Sequence, residues 1–516
     1  MNRTDIHLLD LPVEILLKIL KELNNIDVLY SLIGIEGLDI LAQDEIFTNT
    51  LNFAFTDNND KYSMDEPMLN RFCKDILPRI HYNVKCLYLE TTTMDRILRA
   101  GIYPNLTQLK IFQFHGNLFL HFCTDELIFR YNFKKQITDL TLIHHNCIEP
   151  SFSNNAVLSF VDLPSNTFIS SNLTKLRITV DSFGDCLRLL DGRLNQLSTF
   201  IVIIVNVKDS SSMEFNSNVL QNLKRFSLTY ESLTNEYDNQ LVPLLRQMCN
   251  LQDLTLYIQI KKRNRFVDGI QLENDVLIHL SKLQTFVFYI CTFTYSNHPV
   301  TPLSNNDIQR TFSNVKFGQI GCSMNHFKES DITYHVFSLP FKFERIGYIG
   351  NSFTNTIFKN VTFLCVYDGI PFEHGFFVQL ARCFPLLKVL MIINYKAQLK
   401  DSARSEHNNN ESFEIVQYLH LRSLNFCRTH IDYVEQMLNE SKTHLPCLKE
   451  LAIDYKQLKT ITNNFTRDAT RLNCINVEEL NFHNFINHDD SDYQWTIAQS
   501  KDFHVYFPLL KNSDFL

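Results

Sequence analysis

Tyr103-Pro104-Asn105-Leu106-Thr107-Gln108-Leu109-Lys110-Ile111 carries the pattern on which the fold turns. Leu106, Leu109 and Ile111 spell apolar-x-x-apolar-x-apolar, the last two at the two-residue period of a strand. The same spacing recurs from Val84, Ile137, Leu173, Leu197, Leu223, Leu251, Leu283, Phe312, Phe343, Val361, Leu387, Leu421, Leu448 and Val477. These starts, with Leu106, lie on average about 28 residues apart, a period that belongs to stacked repeat architectures.

The bare pattern is cheap. In a chain that is 45% hydrophobic, three specified positions match by chance about once in eleven residues. The residue just before each start is more selective. It is Asn at positions 83, 105, 172, 222, 250, 360 and 476, although Asn makes up only roughly a tenth of the chain. Pro precedes the start in Tyr103-Pro104-Asn105-Leu106, Phe384-Pro385-Leu386-Leu387 and Leu445-Pro446-Cys447-Leu448.

Amphipathic helix patterns fill the intervals. Leu241, Leu244, Leu245 and Met248 precede Leu251. Val276, Leu277 and Leu280 precede Leu283, with Asn274 as the expected cap. Phe376, Phe377, Leu380, Ala381 and Phe384 precede Leu387, with Glu373-His374 read as a capping pair. Ile431, Val434, Met437 and Leu438 precede Leu448. Each strand–turn–helix unit exposes an apolar face that only a neighbouring unit can bury.

This grammar resembles the leucine-rich-repeat family of the longer strand–helix type. The resemblance implies an α/β solenoid, or horseshoe, over residues 84–484. That family places Asn or Cys three residues after the strand. Here only Cys291 fits the slot, while Asn146, Asn206, Asn394 and Asn484 fall about one residue off, so the expected solenoid is irregular. Phe507-Pro508-Leu509-Leu510-Lys511 duplicates Phe384-Pro385-Leu386-Leu387-Lys388 and reads as a half-repeat within a C-terminal cap, 485–516.

The N-terminal region is built differently. Leu11-Pro12-Val13-Glu14-Ile15-Leu16-Leu17-Lys18-Ile19-Leu20-Lys21-Glu22-Leu23 reads as a helix, followed by Asn24-Asn25-Ile26-Asp27-Val28-Leu29 opening a second. Apolar residues cover roughly 240° of the first helix, whereas a one-sided surface helix needs a stripe only somewhat wider than ~100°. Burial on two sides is therefore expected, one against its own domain and one against a partner. Pro12 suits the helix start, Glu14 the first turn, and Asn24 or Asn25 the cap of the second helix.

Leu-Pro-x-Glu-Ile-Leu-x-x-Ile-Leu-x-x-Leu followed by Asp-Val-Leu resembles the F-box, by which substrate receptors dock on the Skp adaptor of cullin–RING ubiquitin ligases. The likeness runs from Leu9 to about Phe47. Gly34-Ile35-Glu36-Gly37-Leu38-Asp39 replaces the basic run usual in that family, and Phe47 stands where its Trp falls. The resemblance implies an F-box-like helical module at 5–55 and adaptor contacts through Leu11, Pro12, Ile15, Leu16, Ile19, Leu20, Val28 and Leu29. A joint and capping helix are expected at 56–83, with the polar run Thr56 to Lys61 and then Leu69, Phe72, Ile76, Leu77 and Ile80.

The remaining chemistry narrows the function classes. At 516 residues the chain exceeds one compact core unless it grows as a repeat array. Few breakers (Gly 13, Pro 14) argue against a long disordered segment or a β-sandwich, and 42 Phe supply bulky core material. A net charge of −8 offers no nucleic-acid footprint, and the basic cluster Lys261-Lys262-Arg263-Asn264-Arg265 reads as a solvated turn. Thirteen Cys without a Cys-x-x-Cys pair suggest reduced thiols in a cytoplasmic or nuclear protein, with no secretory signal and no membrane span expected.

No catalytic constellation, cofactor motif or metal site is expected. His144-His145 with Cys147 lacks a second ligand cluster, and Asp489-Asp490-Ser491-Asp492 lacks the Gly and Glu of a calcium loop. Ser402 to Glu411 reads as an insertion, and Trp495 as packing for the C-terminal cap. The two resemblances together imply a non-catalytic substrate receptor of a Skp–cullin–F-box ubiquitin ligase, holding an unidentified protein substrate on its solenoid. The rival is a non-catalytic interaction scaffold unrelated to ubiquitin, in which the first helices only cap the stack.

Overall fold

The structure is a computed structural model that describes residues 11–54, 64–113, 136–144, 157–160, 168–206, 217–295, 304–312, 318–328, 331–353, 356–399, 414–482 and 501–511. The expected joint at Thr56 to Lys61, the insertion at Ser402 to Glu411, His145, Asn146, Cys147, Asn484, the acidic run from Asp489 and Trp495 lie outside these residues. The chain is α/β and divides into two compact units: Met1–Gln259 with Asn274–Phe286, and Ile260–Glu273 with Val287–Leu516.

The first unit opens with four short helices, α1 (Val13–Leu20), α2 (Asn25–Leu32), α3 (Asp39–Ala42) and α4 (Glu45–Thr48). A parallel sheet follows: β1 (Thr50–Asn52), β2 (Cys86–Glu90), β3 (Gln108–Phe112), β4 (Asp139–Ile143), β5 (Lys175–Val180), β6 (Thr199–Ile204), β7 (Arg225–Tyr230) and β8 (Asp253–Arg263). Each strand pairs in parallel with the next in chain order. The sheet thus begins at Thr50, ahead of the Val84 from which the sequence pattern runs.

The second unit holds most of β9 (Thr285–Tyr295), with β10 (Gln319–Lys328) and β11 (Asp331–Leu339). Here β11 runs antiparallel between β9 and β10. A separate parallel sheet then takes β12 (Arg345–Ile349), β13 (Phe363–Tyr367), β14 (Val389–Ile393), β16 (Ser423–Phe426), β18 (Glu450–Ile453) and β19 (Glu479–Phe482) in order. Two two-residue strands, β15 (Val416–Gln417) and β17 (Thr443–His444), pair beside it.

The repeat phase is regular. Fourteen of the fifteen starts stand two residues before a strand, and the residues that follow the fifteenth, Phe312, lie outside the described residues. At each step one backbone carbonyl receives two successive N–H groups of the next repeat. Asn49 O takes Lys85 (2.9 Å) and Cys86 (3.0 Å), and Lys85 O takes Thr107 and Gln108, both at 3.0 Å. Thr107, Thr138, Thr174, Ser198, Lys224 and Gln252 continue the ladder, and Glu344, Thr362, Lys388, Arg422 and Lys449 repeat it in the second unit. The last half-repeat obeys the same rule, for Lys511 N–H donates to Glu478 O at 2.9 Å.

The Asn marker gains a physical cause. Asn105, Asn222, Asn250, Asn360 and Asn476 each donate a side-chain N–H to a carbonyl of the preceding repeat, those of Tyr82 (2.7 Å), Asn195 (2.8 Å), Gln221 (2.8 Å), Phe341 (3.2 Å) and Pro446 (3.1 Å). A turn carbonyl without a ladder partner is thereby satisfied, which secures each turn to the one before it. Inward residues form the core in layers: Leu176, Phe200, Phe226 and Leu254 share one register row, and Ile178, Val202, Leu228 and Leu256 the next.

The strand expected after Phe312 falls on residues 313–317, which lie outside the described residues; the next described strands are the antiparallel β10 and β11, with Ile332 to Ser338 all buried. Four local expectations need correction, those for Asn274, Glu373, Cys291 and the basic cluster that begins at Lys261. Asn274 lies inside the helix Gly269–Asp275, which is capped by the buried Asp268 accepting from Gln271 N–H at 2.7 Å. Glu373 precedes the helix His374–Cys383 without capping it, accepting instead from Leu399 N–H at 3.0 Å. Cys291 falls within β9 rather than in a turn, since that strand runs 11 residues. Asn206 and Asn394 do serve turns, donating to the Asp181 carboxylate (2.7 Å) and to Ile370 O (2.8 Å). Lys261 to Arg263 prolong β8 rather than forming the turn itself.

The two kinds of repeat contact carry different energies. Asn250→Ala removes two exposed hydrogen bonds, the donation to Gln221 O and the acceptance from Lys282 Nζ at 2.6 Å, and is expected to cost ~0.5–1.5 kcal/mol because water replaces both partners. Leu254→Ala, at a fully buried position, is expected to cost ~2–5 kcal/mol. Urea denaturation of the two variants against wild type checks the order, and an equal or larger loss for Asn250→Ala would contradict it.

Candidate functional site

The helices at the N-terminus present the apolar surface least accounted for by the fold. Pro12 occupies the N-cap position of α1, one residue ahead of the first helical position expected, and its carbonyl accepts from Ile15 and Leu16 N–H at 2.9 and 3.0 Å. Glu14 lies in the first turn, where its charge favours the helix dipole. Asn24 caps α2, its side chain accepting from Ile26 N–H at 3.0 Å, with Asp27 in the first turn.

The second helix is fixed from several directions. It packs on α3, α4 and β1. Asn25 donates to Thr50 O at 3.1 Å, which joins α2 to the first strand of the sheet. Arg71, at the end of the helix Glu66–Arg71, donates to Ile33 O at 3.1 Å while its guanidinium lies 4.6 Å from the centre of the Tyr30 ring. Phe47 is fully buried, so it serves the core of this region. The segment from Gly34 to Thr48 supplies α3 and α4, four residues each, in place of one longer helix.

These contacts divide the eight residues expected at an adaptor surface. Leu16, Leu20, Val28 and Leu29 are buried in the chain's own core. Leu11 is half-buried and Pro12 exposed. Ile15 and Ile19 remain 42% and 44% exposed, and Leu23, which the expected set omits, is 52% exposed. At i, i+4 and i+8 these three continue one stripe along α1 and the turn after it. Val13, Ile35, Ile40 and Ile46 add further exposed apolar side chains in the same segment. Full burial of one such side chain is worth ~1.5–3 kcal/mol, so covering the half-exposed stripe would contribute roughly 2–4 kcal/mol.

Titratable clusters elsewhere are structural. His335 is fully buried on β11, its Nδ1 3.0 Å from the Tyr289 hydroxyl and its Nε2 3.2 Å from Tyr348 O. Burial pushes its imidazole down to about 4, so it stays neutral at physiological pH. Asp185, also buried, accepts from Ser182 in a capping box and from Ser159 Oγ at 3.0 Å. His144 is buried at the end of β4. Among the described residues no group of three His, Cys, Asp or Glu is placed to hold a metal ion, and no helix is long and apolar enough to cross a membrane.

No known family model matches the chain, and no curated protein matches its sequence.

The division of α1 into two faces makes opposite demands on adjacent positions. Leu16→Asp buries a charge in the core and should abolish the folded N-terminal region, whereas Ile15→Asp should leave stability within about 0.5 kcal/mol. Thermal denaturation and limited proteolysis of the two variants check this. Equal protease resistance in both would mean that α1 docks by another face.

Proposed function

We propose that the chain is the substrate-recognition subunit of a Skp–cullin–F-box ubiquitin ligase, acting in the cytoplasm or nucleus. The observation that carries the reading is the uncovered stripe Ile15–Ile19–Leu23 along α1 and the turn after it, beside the buried Leu16 and Leu20. An F-box needs that division, one face for its own domain and one for the Skp adaptor. Leu11, Pro12, Ile15, Ile19 and Leu23 would meet the adaptor, while Leu16, Leu20, Val28 and Leu29 hold the helices in place.

The parallel strands, taken in chain order at a spacing of about 28 residues, support reading the rest as an irregular leucine-rich-repeat solenoid. In this role the chain makes and breaks no bonds. It holds a protein substrate beside the ubiquitin-conjugating enzyme that the cullin–RING assembly brings, raising the effective concentration of substrate lysines.

One observation favours the scaffold reading. The helices pack on β1, and the Asn49 carbonyl following α4 is the first rung of the ladder, as a simple cap would require. Adaptor binding separates the two. The full chain is expected to co-purify with a Skp adaptor, and Ile15→Asp/Ile19→Asp to weaken that binding at least tenfold with the melting temperature unchanged. A wild-type chain that fails to bind the adaptor would leave the scaffold.

A further inference from the structure

The parallel sheet of the first unit buries one face fully; on the other, Lys110, Phe112, Ile143, Arg177, Ile201 and Ile203 keep exposed area while Thr141 and Thr179 among them are buried, and register sorts these side chains into rows. The first row is Gln108, Asp139, Lys175, Thr199, Arg225 and Asp253 on β3 to β8. Its charges are matched, Lys175 lying 3.6 Å from Asp139 and Arg225 2.8 Å from Asp253. The second row is Tyr88, Lys110, Thr141, Arg177, Ile201 and Ser227 on β2 to β7. It holds two cations and no carboxylate. The third row sets Phe112 beside Ile143, and Ile203 beside Thr229, all four half-exposed. Its one carboxylate, Glu90 on β2, is buried and pairs with neither cation; burial raises its pKa, which favours the neutral form.

We infer that this face, centred on Lys110, Arg177, Ile201 and the Phe112–Ile143 pair, binds an acidic segment of a protein partner in which carboxylates stand next to apolar side chains. Charge complementarity selects the occupant: the chain as a whole carries −8, so this uncompensated row is a local exception to its sign. The cations do not converge on one anion. Arg177 stands two strands from Lys110, about 10 Å at the usual strand spacing. The Lys110 ammonium leans the other way, 3.1 Å from the Tyr88 hydroxyl and 4.4 Å from the centre of its ring. Two separate carboxylates fit this arrangement better than a single phosphate. The half-exposed Phe112, Ile143, Ile201 and Ile203 supply the area that surface charge pairs alone do not.

The inference rests on the proposed reading only in taking the partner to be the ligase substrate. The test uses the full chain with a displayed library of random 16-residue peptides, the probe being the selected peptides resynthesised with a fluorophore. Wild type is expected to enrich Asp and Glu beside Leu, Ile or Phe. Lys110→Glu/Arg177→Glu should weaken the selected peptides at least tenfold, and 0.5 M salt should weaken wild-type binding. Retained thermal stability in the variant shows that folding is intact, and conservative Lys110→Arg should restore binding lost in Lys110→Glu.

Recovery of no sequence class, unchanged binding by the charge-reversed chain, or a requirement for phosphoserine over glutamate in the resynthesised peptides would overturn the assignment. Adaptor binding is measured on the same preparations. Peptide selection without adaptor binding supports the surface and rejects the ligase, and adaptor binding without selection does the reverse.

Discussion

One carbonyl per repeat, shared by two N–H groups of the next, is the constraint on which the rest of each unit depends. From Asn49 through Lys85, Thr107 and onward to Gln252, that rung fixes where every strand begins relative to its neighbour. With the start fixed, the period-two alternation decides which side chains meet. A slip of one residue would exchange Leu176 and Ile178 for Lys175 and Arg177 in the core. The pairing is therefore specified twice, by the rung and by the apolar layers, and each Asn ahead of a start adds a third tie. No single repeat hides its inward leucines alone, so stability resides in these interfaces between neighbours.

Because order passes from neighbour to neighbour, the ends of such an array need separate treatment. An unpaired strand edge offers free N–H and C=O groups to any other chain. In the first unit the edge strand β1 has only three residues, and α2 packs against it with Asn25 bonded to Thr50 O. In the second unit β19 is followed by Lys511, whose N–H occupies the next rung and whose ammonium lies 2.8 Å from the Glu478 carboxylate. Lys449 meets the same carboxylate at 2.8 Å, and the two ammonium groups hold the Glu478 pKa below its usual range.

Much of this was legible in the sequence because it is local. The starts other than Phe312 sit two residues ahead of strands, and helices appear near the stripes before Leu251, Leu387 and Leu448, since both depend on spacing within one repeat. The stripe from Val276 to Leu280, by contrast, holds only a three-residue turn of helix after the helix Gly269–Asp275. The hairpin after β9 was not legible as such. The choice between parallel and antiparallel pairing of β10 and β11 is made by residues distant in the chain, through the pairing of β11 with β9. Asn274 was a sensible cap by type, yet Asp268 begins the helix earlier with a stronger acceptor. The outward rows were invisible for a different reason. Lys110 and Arg177 are far apart in the chain and come onto one register row, two strands apart, only through the strand pairing, so no search for a basic cluster along the sequence finds them.

The N-terminal helix shows where a sequence reading must stop and why. An apolar arc of roughly 240° states that two surfaces are wanted, but not which residues serve which. That choice is made by the docking of α2 and by Arg71 gripping Ile33 O from a later helix. Once α2 is fixed, Leu16 and Leu20 turn inward and Ile15, Ile19 and Leu23 are left outside. The buried and the uncovered apolar residues then occupy adjoining faces of a single two-turn helix. The buried side, with Leu16 and Leu20, is constrained by the core beneath it, and the outer side is free of that constraint. Apolar residues on the outer side contribute little to folding, which is the freedom that the proposed adaptor surface would use.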